Sequence, residues 1–214
     1  LAAPLAVDAL VDVVADLVVG HVVVAIQIHV CEDRREFLEL GVLAGFVFPR
    51  EALERLFDLF ESFVRNFYAK RLAGQGWTYF GRRYFDWQWG TDDAAAKELL
   101  PRMETDITLE HPDRKIIMDT KFYGSGGISR GKYHSNNMYQ LHSYVTQCAM
   151  KANAALASGD VPSHPHDIDC EGMLLYATVD DNDFHHKFTM PPHHMSVATV
   201  NLACDWQEIE ARLM

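Results

Sequence analysis

Two acids and a lysine, Asp106, Asp119 and Lys121, stand in a stretch that is otherwise largely apolar. Asp119 and Lys121 are separated by one residue, so on an extended chain both side chains leave the same face. Carboxylates are hard oxygen ligands, suited to Mg2+ or Mn2+. An amine beside them can orient or deprotonate a water, or neutralise charge on a phosphate. Residues of these types at this spacing point to metal-dependent hydrolysis of phosphodiester bonds.

Two strands must position them. In 103–109, Met103, Thr105, Ile107 and Leu109 alternate with Glu104, Asp106 and Thr108, a period-two pattern. In 116–123, Ile116, Met118, Thr120 and Phe122 fall on one face, and Ile117, Asp119, Lys121 and Tyr123 on the other. Between the strands, Pro112-Asp113 suits the centre of a type I turn. A hairpin centred there sets His111 opposite Arg114 and, counting outward, Asp106 opposite Asp119. Directly opposed side chains have Cβ atoms ~5 Å apart, and like charges so placed repel. A divalent cation shared by the two carboxylates relieves that repulsion.

These residues resemble the PD-(D/E)xK nuclease motif, with Asp106 as the first acid and Asp119-x-Lys121 as the second half. Gln140 and Tyr144, in the segment MYQLHSYV, are similar to the QxxxY motif of RecB-like members of that superfamily. More widely, LFESFVRNFYAKRL, LLPRMETDITL, IIMDTKFY, NNMYQLHSYV, EGMLLYATV and DWQEIEARL read in order like the McrC family, the nuclease subunits of McrBC modified-cytosine (5-methylcytosine) restriction systems. The resemblance covers roughly residues 53–214. It implies an α/β, restriction-endonuclease-like fold: a mixed central sheet flanked by helices, in the order helix, three strands, helix, strand. It implies a catalytic set of Asp106, Asp119, Lys121, Glu61, Gln140 and Tyr144. The metal would be held by Asp106 and Asp119, with the Thr120 carbonyl and Glu61, the acid of the family's LFExFV segment, as further ligands. It implies DNA as substrate, a cytoplasmic place in bacterial defence, and an AAA+ GTPase partner resembling McrB whose GTPase this subunit stimulates.

Composition sets limits on this reading. At 214 residues the chain can bury a full core. Its net charge of −11 is unusual for a protein that grips DNA, where phosphate contacts call for a basic surface. A partner must supply part of that grip. Cys31, Cys148, Cys170 and Cys204 form no C-x-x-C pair, which favours a reducing compartment and argues against a cysteine zinc site. The apolar run 17–30 is too short to span a bilayer, and no basic segment precedes it. The chain opens on leucine, as a piece of a longer protein would.

The chain divides into an apolar segment, 1–48, expected to be partly helical, and a nuclease domain, 49–214. In 5–19, Asp8, Asp12 and Asp16 recur every fourth residue and predict a helix with one acidic stripe. Val22–Val30 fits a strand or a buried helix, and Glu32–Leu43 reads as a helix. Pro49 marks the start of a long amphipathic helix carrying Leu53, Phe57, Phe60, Val64 and Phe67. The aromatic segment Trp77–Trp89 predicts a strand or hairpin entering the sheet. Its rings with Arg82 and Arg83 suit either core packing or contact with bases. Asp92–Leu100 predicts a short helix stopped by Pro101. Residues 124–137 predict a Gly-rich loop whose cations can follow a phosphate backbone. A helix follows over 137–151, capped by Ser135, Asn136 or Asn137, with Met138, Leu141, Val145 and Cys148 facing the core. A loop follows over 152–169, then strands at 172–179, 184–190 and 196–202, and a last helix capped by Asp205.

Two other readings remain open on the sequence. One is a non-cleaving regulatory or scaffold subunit that binds and stimulates an AAA+ GTPase. The other is a zinc hydrolase built on His164, His166, His185, His186, His193 and His194. The second is disfavoured because none of these shows H-E-x-x-H or zinc-finger spacing.

Overall fold

A computed structural model describes residues 10–19, 22–31, 36–40, 50–90, 93–122, 127–129, 131–178 and 183–214. The amino-terminal part is an antiparallel sheet of β1 (Leu10–Val19), β2 (Val22–Cys31) and β3 (Glu36–Leu40), in that order. The helices expected over 5–19 and 32–43 are therefore strands where the chain is described. Spacing of four keeps residues on one side of a strand as well as of a helix. Branching at Cβ, abundant in this Val-rich segment, then tips the balance toward strand. Asp8 and Pro49 lie outside the described residues.

The rest of the chain is built on a six-stranded mixed sheet. After α1 (Arg50–Arg71) come β4 (Thr78–Phe80), β5 (Arg83–Phe85), α2 (Ala94–Glu98), β6 (Met103–Thr105), β7 (Ile107–His111) and β8 (Arg114–Phe122). Next follow β9 (Ile128–Ser129), β10 (Lys132–Tyr133), α3 (Ser135–Ala157), β11 (Glu171–Thr178), β12 (His185–Met190), β13 (His193–Asn201) and α4 (Trp206–Leu213). The sheet order is β12-β13-β11-β8-β7-β4, with β8, β11 and β13 parallel and the remaining pairs antiparallel. This is the mixed α/β sheet flanked by helices that the restriction-endonuclease-like reading requires. Helix α3 makes the crossover from β8 to its parallel neighbour β11, as a parallel pair demands.

Alternation along β8 separates two apolar layers. Ile116 and Met118 join Phe60, Phe63, Val64 and Phe67 of α1, together with Ile209 and Leu213 of α4. Ile117 joins Leu141, Tyr144, Val145 and Cys148 of α3. The Tyr68 hydroxyl donates to the Leu213 carbonyl at 2.8 Å and ties the last helix to the first.

Several boundaries depart from the sequence reading. Trp77–Trp89 is not one hairpin: β4 pairs with β7 in the main sheet, whereas β5 pairs with β6 in a separate two-stranded ribbon. The strand expected over 103–109 is broken at Asp106, so β6 and β7 belong to different sheets. Helix α3 starts at Ser135, and its cap residue, His134, makes no side-chain cap bond, so none of residues 135–137 caps it. It also runs to Ala157, well into the expected loop, where a 3-10 turn at Pro165–Asp167 follows. The predicted Gly-rich loop contains the small β9–β10 pair. Asp205 caps α4 as expected, accepting from the Glu208 amide at 3.0 Å.

Candidate active site

The β7–β8 hairpin folds in the predicted register: His111 pairs with Arg114, and the ladder runs inward to Ile107 opposite Met118. Asp106 is the next residue out, just beyond the last rung, where the strand bends. Its Oδ2 accepts from the Thr120 amide at 2.7 Å and from the Thr120 hydroxyl at 2.8 Å. Those two bonds fix the first acid against the second strand without using Asp119.

Asp119 is 1% exposed. Its Oδ2 meets the Lys121 ammonium at 2.6 Å, while Oδ1 has no hydrogen-bond partner among the described residues. Burial lifts the Asp119 carboxyl to about 7. Lys121 opposes that rise, and the charges of Asp106 and Glu61 add to it. A buried acid with an unused oxygen and a second acid beside it is a poor arrangement for stability and a good one for a cation.

The other sequence-nominated residues surround this pair. Glu61, on α1, is gripped by Arg65 at 3.2 Å and by Arg82 at 3.1 Å. Arg82 also approaches Glu104 at 3.5 Å and feels the charge of Asp106. Its guanidinium therefore sits among three acids, a role the sequence reading did not assign to it. Gln140 donates to the Tyr144 hydroxyl at 2.6 Å, and that hydroxyl donates to the Glu104 carbonyl at 2.6 Å. Tyr144 is 4% exposed, and burial, with Asp119 and Asp106 nearby, pushes its phenol up to about 12. Gln140 and Tyr144 thus form a strut from α3 to β6.

Among the described residues no three His, Cys, Asp or Glu side chains converge closely enough to hold an ion, and the histidines stay scattered. Asp106 and Asp119 nevertheless suit Mg2+, which keeps several waters and takes one or two carboxylates. The unpaired Oδ1 of Asp119 offers it an anionic ligand. Glu61 would have to release an arginine to join them.

A second polar cluster, missed in the sequence, lies at the other end of β8. Lys115, 2% exposed, pairs with Glu110 at 2.9 Å and Asp167 at 2.5 Å. Arg83 also reaches Glu110, at 2.6 Å. The predicted hairpin register, with His111 opposite Arg114, also sets Glu110 opposite Lys115, and this was the available signal. Asp167 was hidden in what reads as a loop.

No protein-family model matches the chain. The chain is similar to the "Type IV methyl-directed restriction enzyme EcoKMcrBC" of Escherichia coli (strain K12), with 29% identity over 159 residues. The match takes in 73% of this chain and 40% of that protein, so the chain spans about two fifths of its relative's length. No helix among the described residues is long and apolar enough to cross a membrane. The similarity, joined to the mixed sheet flanked by helices, supports membership of the McrC family.

Proposed function

We propose that the chain is the nuclease subunit of a McrBC-like, modification-dependent restriction system, hydrolysing DNA phosphodiester bonds with Mg2+ or Mn2+. Residues 49–214 are the catalytic domain, the place of action is the cytoplasm, and an AAA+ GTPase resembling McrB is the partner. The observation that carries this reading is the buried Asp119 carboxylate, paired with Lys121 on one oxygen and unpartnered on the other, beside Asp106.

Asp106 and Asp119 would hold the metal, with the Thr120 carbonyl and Glu61 as further ligands. A bound divalent ion supplies charge stabilisation at the phosphate and a water of lowered pKa. Lys121, anchored through Asp119, holds an ammonium at the site, where it can orient the attacking water and offset negative charge as the phosphorane-like state develops. Thr120 keeps the Asp106 carboxylate turned toward β8 through its amide and hydroxyl. Tyr144 holds the main chain two residues before Asp106 and so fixes the bend that presents it. Burial under α3 keeps solvent from competing for Asp119.

Plasmid nicking in Mg2+ or Mn2+, with and without the AAA+ partner, tests the assignment. Asp119→Ala should abolish cutting, and Lys121→Ala should slow it by about 10²–10³, the usual effect of losing one charge-stabilising donor. Equal cutting by wild type and both variants sinks the site. The net charge of −11 favours one second reading, a subunit that only stimulates the partner's GTPase. A rise in GTP hydrolysis on mixing, with no cutting under any condition, would select it.

A further inference from the structure

We infer that Tyr84 and Arg102, on the outer face of the β5–β6 ribbon, form a stacking platform for a base of the DNA strand flanking the cut phosphate. This inference rests on the nuclease reading above. The ribbon has two unlike faces. Its inner face turns Phe85 and Met103 into the α3-side core, and Arg83 to Glu110. Its outer face carries Tyr84, which pairs across the ribbon with Glu104. Tyr84 is 56% exposed and belongs to neither core cluster. The exposed Arg102 guanidinium lies over its ring, 4.5 Å from the centroid.

Position gives this pair its meaning. Glu104 is two residues before Asp106, so the Tyr84 rung lies about 7 Å along the strand from the first acid. That is the axial rise of about two duplex nucleotides. Two residues before Tyr84, the half-exposed Arg82 pairs with Glu61 and Glu104. A little beyond, Trp89, 54% exposed, leans on Trp87 with ring centroids 4.4 Å apart. Cations beside open aromatic rings are what a nucleic-acid strand requires: charge for its phosphates and flat apolar faces for its bases. Arg82 is held by Glu61 and Glu104, so the Tyr84–Arg102 pair is the cationic, aromatic spot that this face of an acidic chain offers a strand next to the two acids. Stacking on a side chain requires a base released from its own stack. The ligand is therefore an unpaired or frayed nucleotide, bound without sequence preference.

The full chain, mixed in EDTA with a fluorescent single-stranded oligonucleotide carrying 2-aminopurine, tests this. Binding should quench the 2-aminopurine. Tyr84→Phe should keep both the quench and the affinity. Tyr84→Leu should lose the quench and bind about tenfold more weakly, with an unchanged melting temperature because the ring is exposed. Arg102→Gln should lower the slope of log affinity against log salt by about one. Wild-type quench and affinity in Tyr84→Leu, or no binding by the wild-type chain, overturns the platform. Parallel nicking assays with Asp119→Asn separate the two ideas. Nicking lost in Asp119→Asn together with wild-type binding by Tyr84→Leu sinks the platform alone. Nicking that survives in Asp119→Asn sinks the nuclease reading itself.

Discussion

At the scale of single residues, Asp119 sets the behaviour of the site. Its carboxyl titrates near 7 in the folded chain and near ~4 when unfolded. Between those values the folded chain holds a proton that the unfolded chain has released. This acid's contribution to stability therefore falls as pH rises from about 4 to about 7 and is flat above. A divalent ion needs the deprotonated carboxylate, so its binding should strengthen over the same upper range. We expect Mg2+ or Mn2+ to raise the melting temperature more at pH 8 than at pH 6. Asp119→Asn should melt no lower than wild type at pH 8 without metal and should show no metal-induced rise. Equal metal-induced shifts at both pH values, measured by differential scanning fluorimetry, would contradict the placement of the ion. The hairpin register and the meeting of Asp119 with Lys121 were legible because strand alternation and turn chemistry fix which side chains meet. Arg82 was not, since its partners come from α1 and β6, elements whose approach no local pattern encodes.

At the scale of elements, β8 carries a polar cluster at each end and apolar residues between. The end near the turn is structural. Lys115→Ala would leave the buried Asp167 without its cation, while Glu110 keeps Arg83, at a cost of about 3 kcal/mol, readable by urea denaturation. Helix α3 braces the other end. Tyr144→Phe removes a buried hydrogen bond to the Glu104 carbonyl, costing about 1 kcal/mol. For a chain of this size that lowers the melting temperature by roughly 2–4 °C. Because the phenol acts through the strand carrying Asp106, a proposed metal ligand, metal affinity and kcat should both fall, which titration of nicking against Mg2+ reads. The hairpin register and the two faces of β8 followed from sequence. The break at Asp106 did not, because unbroken alternation from Met103 to Leu109 looks the same whether one sheet or two claims the strand. The long reach of α3 was masked by the Gly-, Pro- and polar-rich run 158–169, which drew the expected boundary back over the alanine-rich turn 152–157.

At the scale of the whole molecule, sheet order and the α3 crossover follow the helix–strands–helix–strand pattern visible in the sequence. The amino-terminal sheet does not, because evenly spaced aspartates fit either periodicity. Gly127 lies against Tyr176: its φ is +78°, and a Cβ there would overlap the ring. Gly127→Ala should therefore press on the buried Tyr176 ring and lower the melting temperature, read by differential scanning fluorimetry. An overall charge of −11 predicts that nicking by the chain alone is slow and rises when the AAA+ partner is added. The bend at Asp106 has one more consequence. On one side of it the backbone is laced to β5, on the other to β4 and β8. The first acid is thus the seam between the β5–β6 ribbon and the main sheet. A pull on the ribbon would shift one carboxylate against the other, so on the nuclease reading proposed above the load carried by the ribbon sets how the two acids align.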